Sequence, residues 1–75
     1  MNILSIESGT YRHNKSGLLY NVIGLASDTE TDEVTVVYEP MYTHKYDYRF
    51  FMRSYSMFTE IVVINGKKQP RFEKI

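Results

Sequence analysis

Apolar and polar residues alternate along much of this chain, and turn-forming residues separate the alternating stretches. Between residues 33 and 42, for example, Val34, Val36 and Tyr38 occupy every second position. A repeat of two residues places neighbouring side chains on opposite faces, as in a strand with one buried face. No stretch sustains the apolar spacing of a helix. The pattern therefore predicts a fold made of short β-strands.

The turn signals divide the chain into five or six predicted strands. The strands are expected over residues 9–13, 18–26, 33–42, 48–53 and 58–64, followed by a short last strand after residue 66. Asn65-Gly66 is typical of a type I′ turn, in which both central residues have positive φ, and it predicts a hairpin. Ser54 is expected to cap one helical turn over residues 54–57.

Glycine and proline are expected to interrupt these strands. Gly24 lies inside the second strand and indicates a bulge or a close approach of another backbone. Pro40 and Pro70 lack the N–H group that a strand donates to its neighbour. Each proline should therefore lie at a strand end, at a bulge or on an edge strand.

Together these elements predict one all-β domain over residues 1–75. Five or six short strands in so few residues favour a small closed or partly closed barrel. We favour an SH3-like barrel, because its one-turn helix before the fifth strand would match residues 54–57. The alternative is an OB-like barrel of five strands.

Composition limits how such a small domain can be stabilised. The chain has no cysteine and two histidines, so we expect neither a disulfide nor a structural zinc site. Seven tyrosines and four phenylalanines must supply much of the core, since each buried ring removes about 150–250 Å² from water. We expect no cofactor and no metal.

The hydrophobic segments are too short for membrane insertion or export. Residues 1–8 lack the basic flank and apolar core of a secretion signal, and the longest apolar run is residues 61–64. A membrane-spanning helix needs about 20 predominantly apolar residues. These observations predict a cytoplasmic protein that does not contact a membrane.

The formal net charge is zero, whereas strong nonspecific nucleic-acid binders are normally basic overall. Residues 42–53 nevertheless interleave aromatic rings with basic side chains. Proteins bind single-stranded nucleic acid with such a combination, because the rings stack on bases and the cations hold phosphates. The alternative is that these rings pack inward and around the rim of the fold.

The candidate ligand-binding residues combine cations, which would hold phosphates or carboxylates, with tyrosines, which would stack on bases. They are Arg12, His13, Lys15, Tyr38, Tyr42, Arg53 and Arg71. We predict a non-enzymatic binding module that contacts single-stranded nucleic acid. A peptide-binding or subunit-docking module is the alternative, and a small enzyme that uses His13 is a third hypothesis.

Two further features bear on the surface. Arg53 and Arg71 stand beside large apolar residues, which predicts partly buried guanidinium groups. Glu30 and Glu60 are plausible carboxylate partners for them. Exposure of Ile61 and Val63, which lie on the opposite strand face from Val62, would favour a homo-oligomer.

The order of several short motifs resembles that of a known family. The residues that carry the resemblance are Tyr11-Arg12-His13, Lys15, Gly17, Tyr20, Val22, Ala26, Thr29-Glu30-Thr31, Glu33, Val36-Val37-Tyr38, Met52-Arg53, Met57-Phe58, Asn65-Gly66-Lys67 and Pro70-Arg71-Phe72. Taken in this order, they resemble the DUF1653 family, small bacterial proteins of unknown function. The resemblance covers about residues 9–74; it implies a small β-rich fold and supplies no activity.

The chain departs from the family pattern in three places. Phe51-Met52-Arg53-Ser54 stands where the family has Trp-Val-Arg-Pro, and Asp28 stands where the family has a histidine. Ser16 resembles a one-residue insertion in the first turn. If the family's Trp and His form a binding surface, that surface is altered in this chain.

Overall fold

The computed structural model describes residues 3–75, which form seven strands and one helical turn. The elements in chain order are β1 (Gly9–His13), β2 (Leu19–Ser27), β3 (Val34–Pro40), β4 (Phe51–Ser54), α1 (Tyr55–Phe58), β5 (Ile61–Ile64), β6 (Lys67–Pro70) and β7 (Phe72–Lys74). The predicted all-β architecture with a single helical turn is confirmed. Within the described residues, no helix has the length and hydrophobicity that crossing a bilayer requires.

The strands form two antiparallel sheets, and the expected SH3-like or OB-like barrel does not close. The larger sheet has the order β4-β3-β2-β1-β7, and the smaller sheet is the β5–β6 hairpin. Closure would require β4 to pair with β7, but these strands are the two edges of the larger sheet. The chain between them forms α1 and the hairpin instead, and α1 covers one face of the sheet with Phe58.

The expected turn and bulge are both present. Asn65 and Gly66 have φ values of 53° and 78°, as a type I′ hairpin requires. In the larger sheet, Val22 pairs with Tyr38 whereas Gly24 pairs with Val37, so one extra residue of β2 forms a bulge. The bulge changes the alternation along β2, and Leu25 packs against the same core that contains Val22.

Several strand boundaries differ from the prediction, most clearly the starts of the fourth and fifth strands, and the predicted last strand is divided into β6 and β7. Ser54 caps α1 as expected, since its hydroxyl accepts a hydrogen bond from the Met57 N–H at 3.3 Å. Phe58, however, ends this helical turn, and the fifth strand begins only at Ile61. Similarly, β4 begins at Phe51 and not at residue 48. Phe58 ends in the helical turn because its ring enters the core, which outweighs the local strand pattern. Tyr48 and Phe50 are exposed and lie outside the core.

The core lies on one face of the larger sheet and consists mainly of aromatic rings. Its buried apolar residues are Tyr11, Tyr20, Val22, Val36, Tyr38, Phe58 and Phe72. The rings of Phe58 and Phe72 stack in parallel, with centroids 4.1 Å apart. Because Phe58 comes from α1 and Phe72 from β7, this stack joins the helical turn to the sheet.

The hairpin carries apolar side chains on its outer face. Ile61 and Val63 are both exposed, as the alternation along β5 predicted. Pro70 ends β6 and Pro40 ends β3, so both prolines lie where a missing N–H group is tolerated. Formation of a homo-oligomer through the exposed stripe stays a prediction.

Candidate functional site

A groove with basic side chains lies beside the β5–β6 hairpin, and we call it the basic groove. Its volume is about 530 Å³. The residues that line it are His13, Lys15, Val62, Val63, Ile64, Asn65 and Arg71. The hairpin forms an apolar wall, and the cations come from the β1–β2 turn and from the junction between β6 and β7. The groove therefore combines positive charge with apolar side chains. Apolar side chains exclude water, which strengthens the attraction between the cations and an anion.

Arg71 is held in a fixed position at this groove. Its Nη2 lies 2.9 Å from Glu60 Oε2, and its Nε donates a hydrogen bond to the Met57 carbonyl at 3.1 Å. Pairing with Glu60 is one of the two partnerships expected from the sequence. Glu30 lies instead in the β2–β3 loop, where its N–H donates to Asp28. The Nη1 group of Arg71 donates no hydrogen bond to any residue in the described part of the chain.

The first turn fixes the orientation of His13. Its Nδ1 lies 2.9 Å from the Ser16 hydroxyl oxygen, which also accepts a hydrogen bond from the Leu18 N–H at 3.2 Å. This contact holds the imidazole in place and leaves Nε2 as the ring nitrogen with no hydrogen-bond partner among the described residues.

Three cations converge on the His13 ring. Burial lowers the pKa of His13 below its usual value of 6.5, and the charges of Arg53, Arg71 and Lys15 lower it further. Lys15 has no carboxylate partner among residues 3–75. The region around His13 therefore has an excess of positive charge, although the whole chain has none.

A second depression, which we call the aromatic cleft, lies on the same side of the sheet. Its volume is about 310 Å³. The residues that line it are Tyr20, Tyr38, Tyr42, Tyr46, Phe51 and Arg53. The hydroxyl groups of Tyr20 and Tyr42 share a hydrogen bond of 2.8 Å. Burial raises the pKa of Tyr20, and this hydrogen bond raises it further, so the hydroxyl stays protonated at neutral pH.

Arg53 and Phe72 connect the basic groove with the aromatic cleft. The Arg53 Nε donates to the Tyr38 hydroxyl at 3.4 Å, and its Cζ lies 5.4 Å from the Phe72 ring centroid. The His13 ring also packs on Phe72, and the two ring centroids are 4.9 Å apart. Pairing of Arg53 with Val36 places this arginine on the core face of the sheet. The groove and the cleft are therefore neighbours separated by little more than one aromatic ring.

The structure places six of the seven candidate residues around these two depressions. His13, Lys15 and Arg71 line the basic groove, and Tyr38, Tyr42 and Arg53 line the aromatic cleft. Arg12 lies on the other face of β1, because successive side chains in a strand alternate. There its Nη2 lies 3.2 Å from Glu73 and its Nε donates to Asn14.

Several lining residues were not among the candidates. Tyr46 and Phe51 belong to the aromatic and basic segment of residues 42–53, which is the signal that identifies them. Tyr20 is contributed by β2, and only its pairing across the sheet brings it to the cleft. The apolar wall of the basic groove comes from residues 62–64, which no ligand-binding motif marks.

Part of the aromatic and basic segment lies outside the cleft. Tyr48 and Phe50 are exposed, and the Arg49 guanidinium lies 5.0 Å from the Phe50 ring centroid. Arg49 also forms a 2.7 Å ion pair with Glu39. Hydrogen bonds from Arg49 and Asn21 lower the pKa of the Glu39 carboxyl. The charge of Arg49 is thus already compensated within the fold.

Comparison with known proteins places the chain in a family. The model of DUF1653, described as a protein of unknown function, matches residues 9–74. The chain belongs to the DUF1653 family. The crystal structure of a DUF1653 protein from Bordetella bronchiseptica is similar, with 36% sequence identity and a TM-score of 0.86. The match covers 93% of this chain and 87% of the Bordetella chain. No curated protein matches the sequence.

The three departures from the DUF1653 pattern lie in different parts of the structure. Phe51, which stands where the pattern has Trp, lines the aromatic cleft. Ser16 contacts His13 at the basic groove. Asp28 lies in the β2–β3 loop and accepts a hydrogen bond from the Glu30 N–H, away from both depressions. Two of the departures therefore alter the candidate site itself, and one does not.

Proposed function

We propose that this DUF1653 protein is a small binding module for single-stranded nucleic acid. In this proposal, bases stack in the aromatic cleft and phosphates bind in the basic groove. Rings and cations are the two elements that such modules combine, because every base has a face on which a ring can stack. The adjacency of groove and cleft supports a ligand that has both a phosphate and a base within one nucleotide.

The main support for this proposal is the charge of Arg53, which no carboxylate compensates among the described residues. Arg12, Arg49 and Arg71 each have a carboxylate oxygen within 3.2 Å, whereas Arg53 has no ion-pair partner among the described residues. Arg53 is also half-buried, so water compensates its charge less well than at the open surface. An anionic ligand between the groove and the cleft would supply the missing partner.

The experiment compares Arg53→Gln with Arg12→Gln in binding to a short fluorescent single-stranded oligonucleotide. A hydrogen bond to a charged group contributes about 1.5–3 kcal/mol, so we expect Arg53→Gln to weaken binding roughly tenfold or more. Arg12→Gln is the matched control, because it removes an arginine from the opposite face of the sheet. We expect its affinity to stay near that of the wild type.

Salt dependence gives a second readout. Each phosphate contact with single-stranded nucleic acid contributes about 0.7 to the slope of log affinity against log salt. Arg53→Gln should therefore have a shallower slope than the wild type, whereas Arg12→Gln should keep the wild-type slope. Failure of the wild type to bind even at low salt, or equal losses in both variants, would contradict the proposal.

An acidic peptide is the second candidate ligand. The observation that favours it is the apolar wall formed by Val62 and Ile64 beside Lys15 and Arg71. Binding of an acidic peptide, with no binding of oligonucleotides under the same conditions, would favour this function. The aromatic cleft would then accept an apolar or aromatic side chain of the peptide.

A further inference from the structure

The donors around the basic groove exceed what an internal phosphate needs. A phosphodiester inside a strand has one negative charge and two non-bridging oxygens. A terminal phosphomonoester has a charge of about −1.5 to −2 and three acceptor oxygens at neutral pH. Lys15 and Arg71 line this groove, and Arg53, which has no ion-pair partner among the described residues, packs on the same Phe72 ring as the groove residue His13. The only carboxylate that pairs with these cations in the described chain is Glu60, which takes one side of Arg71.

His13 adds a donor between these cations. The Ser16 hydroxyl bonds its Nδ1, and Nε2 has no hydrogen-bond partner among the described residues. Nε2 is therefore the nitrogen that a ligand can reach, and it donates whenever it carries the ring proton. Lys15 and Arg71 line the same groove as His13, and Arg53 packs on the same Phe72 ring as His13. Neutral and charged donors together provide enough hydrogen bonds for three phosphate oxygens.

The position of the aromatic cleft specifies what the phosphate is attached to. The Phe72 ring lies 4.9 Å from His13 on the groove side and 5.6 Å from Tyr38 on the cleft side, measured between centroids. A phosphate in the groove and a base in the cleft would therefore belong to the same nucleotide or to adjacent ones. A terminal nucleotide satisfies this geometry without requiring the strand to continue past the groove.

We infer that the basic groove binds the terminal phosphate of a single strand whose end base stacks in the aromatic cleft. This inference rests on the function proposed above and narrows its ligand to the phosphorylated end of a strand. The phosphate belongs either to the 5′ end or to the 3′ end, since both carry a phosphomonoester of the same charge.

The experiment measures affinity for three oligonucleotides of one sequence, which carry a 5′-phosphate, a 3′-phosphate or no terminal phosphate. We expect one phosphorylated form to bind about tenfold more tightly than the unphosphorylated form, as one or two charge-assisted hydrogen bonds would provide. The phosphorylated form that binds more tightly shows whether the groove binds a 5′-phosphate or a 3′-phosphate. Lys15→Gln should abolish most of the gain, measured within that variant as the ratio of its affinities for the phosphorylated and unphosphorylated oligonucleotides.

Lys68→Gln is the matched control, because Lys68 is an exposed lysine of β6 outside both depressions. It should keep the full gain, and far-ultraviolet circular dichroism should show that both variants are folded. Equal affinity for all three oligonucleotides would overturn the inference but leave the nucleic-acid function in place. A gain that survives Lys15→Gln would also overturn it. Absence of binding to all three would overturn both proposals.

Discussion

Around His13, the same fold that buries part of the ring also brings three cations towards it. Both effects lower its pKa below 6.5, the usual value that the unfolded chain retains. Between the two pKa values the unfolded state binds more protons, so stability rises with pH there. The contribution of neutral His13 to the free energy of unfolding is thus fully present above about pH 6.5. It is lost as the pH falls through the pKa of His13 in the folded state.

We therefore expect the free energy of unfolding to fall as the pH is lowered from about 7.5 to about 5, partly because of His13. In His13→Gln this part of the dependence should disappear, whereas His44→Gln, which keeps His13, should retain it. Urea unfolding at several pH values measures the effect. Imidazole NMR signals give the His13 pKa directly, and a midpoint at or above 6.5 would contradict the prediction.

Phe58 is the residue whose truncation should cost most within the core. Its side chain is 1% exposed and stacks on Phe72 at 4.1 Å. Replacing a buried Phe by Ala costs about 3–5 kcal/mol, since it removes apolar contacts and leaves a cavity. Small domains have about 5–15 kcal/mol of stability in total, so we expect Phe58→Ala to be unfolded or nearly so. Phe58→Leu should keep a measurable transition at a lower urea midpoint.

Phe50→Ala is the control for Phe58→Ala. Phe50 is half exposed and lies beside Arg49, outside the core. Its truncation should change the free energy of unfolding by no more than about 0.5 kcal/mol. Similar losses in the two alanine variants would show that the stack of Phe58 on Phe72 does not dominate the core.

At the scale of elements, the β5–β6 hairpin depends on the conformation of its turn. Gly66 has a φ of 78°, a region that costs a residue with a side chain about 1–2 kcal/mol. We expect Gly66→Ala to lower the free energy of unfolding by about that amount. Urea unfolding checks this value, and hairpin amides in NMR spectra should shift most.

Gly24→Ala is the matched substitution in a strand. Gly24 does not have positive φ, and no atom lies within 4 Å of the position that an added Cβ would take. The added methyl group restricts the unfolded chain, so stability should be unchanged or raised by up to about 1 kcal/mol. If Gly24→Ala were as destabilising as Gly66→Ala, positive φ would not explain the cost at the turn.

At the scale of the whole molecule, the two sheets contribute unequally to the core. The hydrophobic cluster takes residues from β1, β2, β3, β4, α1 and β7, and none of its members in the described chain comes from β5 or β6. Polar contacts attach the base of the hairpin to the turn after β1, including the hydrogen bond from the Asn14 N–H to the Arg71 carbonyl at 3.0 Å. Opening of the hairpin therefore exposes less buried apolar surface than opening of the larger sheet.

We expect amides of β5 and β6 to exchange with solvent faster than those that pair β2 with β3. After correction for intrinsic rates, the difference in protection should be at least about tenfold, because local opening costs less than global unfolding. Hydrogen exchange followed by NMR measures it residue by residue. Equal protection in both sheets would mean that the hairpin opens only when the whole domain unfolds.

Much of the fold was predictable from the sequence because its signals are local. Alternation identified β3, turn signals delimited β1 and β2, Asn65-Gly66 identified the hairpin, and Ser54 identified the cap of α1. Backbone conformation at such positions depends on a few neighbouring residues, so a short window is sufficient. Phe58 shows the limit, since its ring enters the core through a stack with Phe72, which lies far along the chain.

The candidate site was predictable in residue type but not in arrangement. The sequence by itself determined that cations and tyrosines cluster along the chain, and that the core must be aromatic. Only the tertiary structure decided that Arg53 meets His13 across Phe72, and that Arg12 turns away to pair with Glu73. Those contacts depend on β1 pairing with β7 and on α1 packing over the sheet. Such long-range pairings follow from burial of the whole core, which no local pattern specifies.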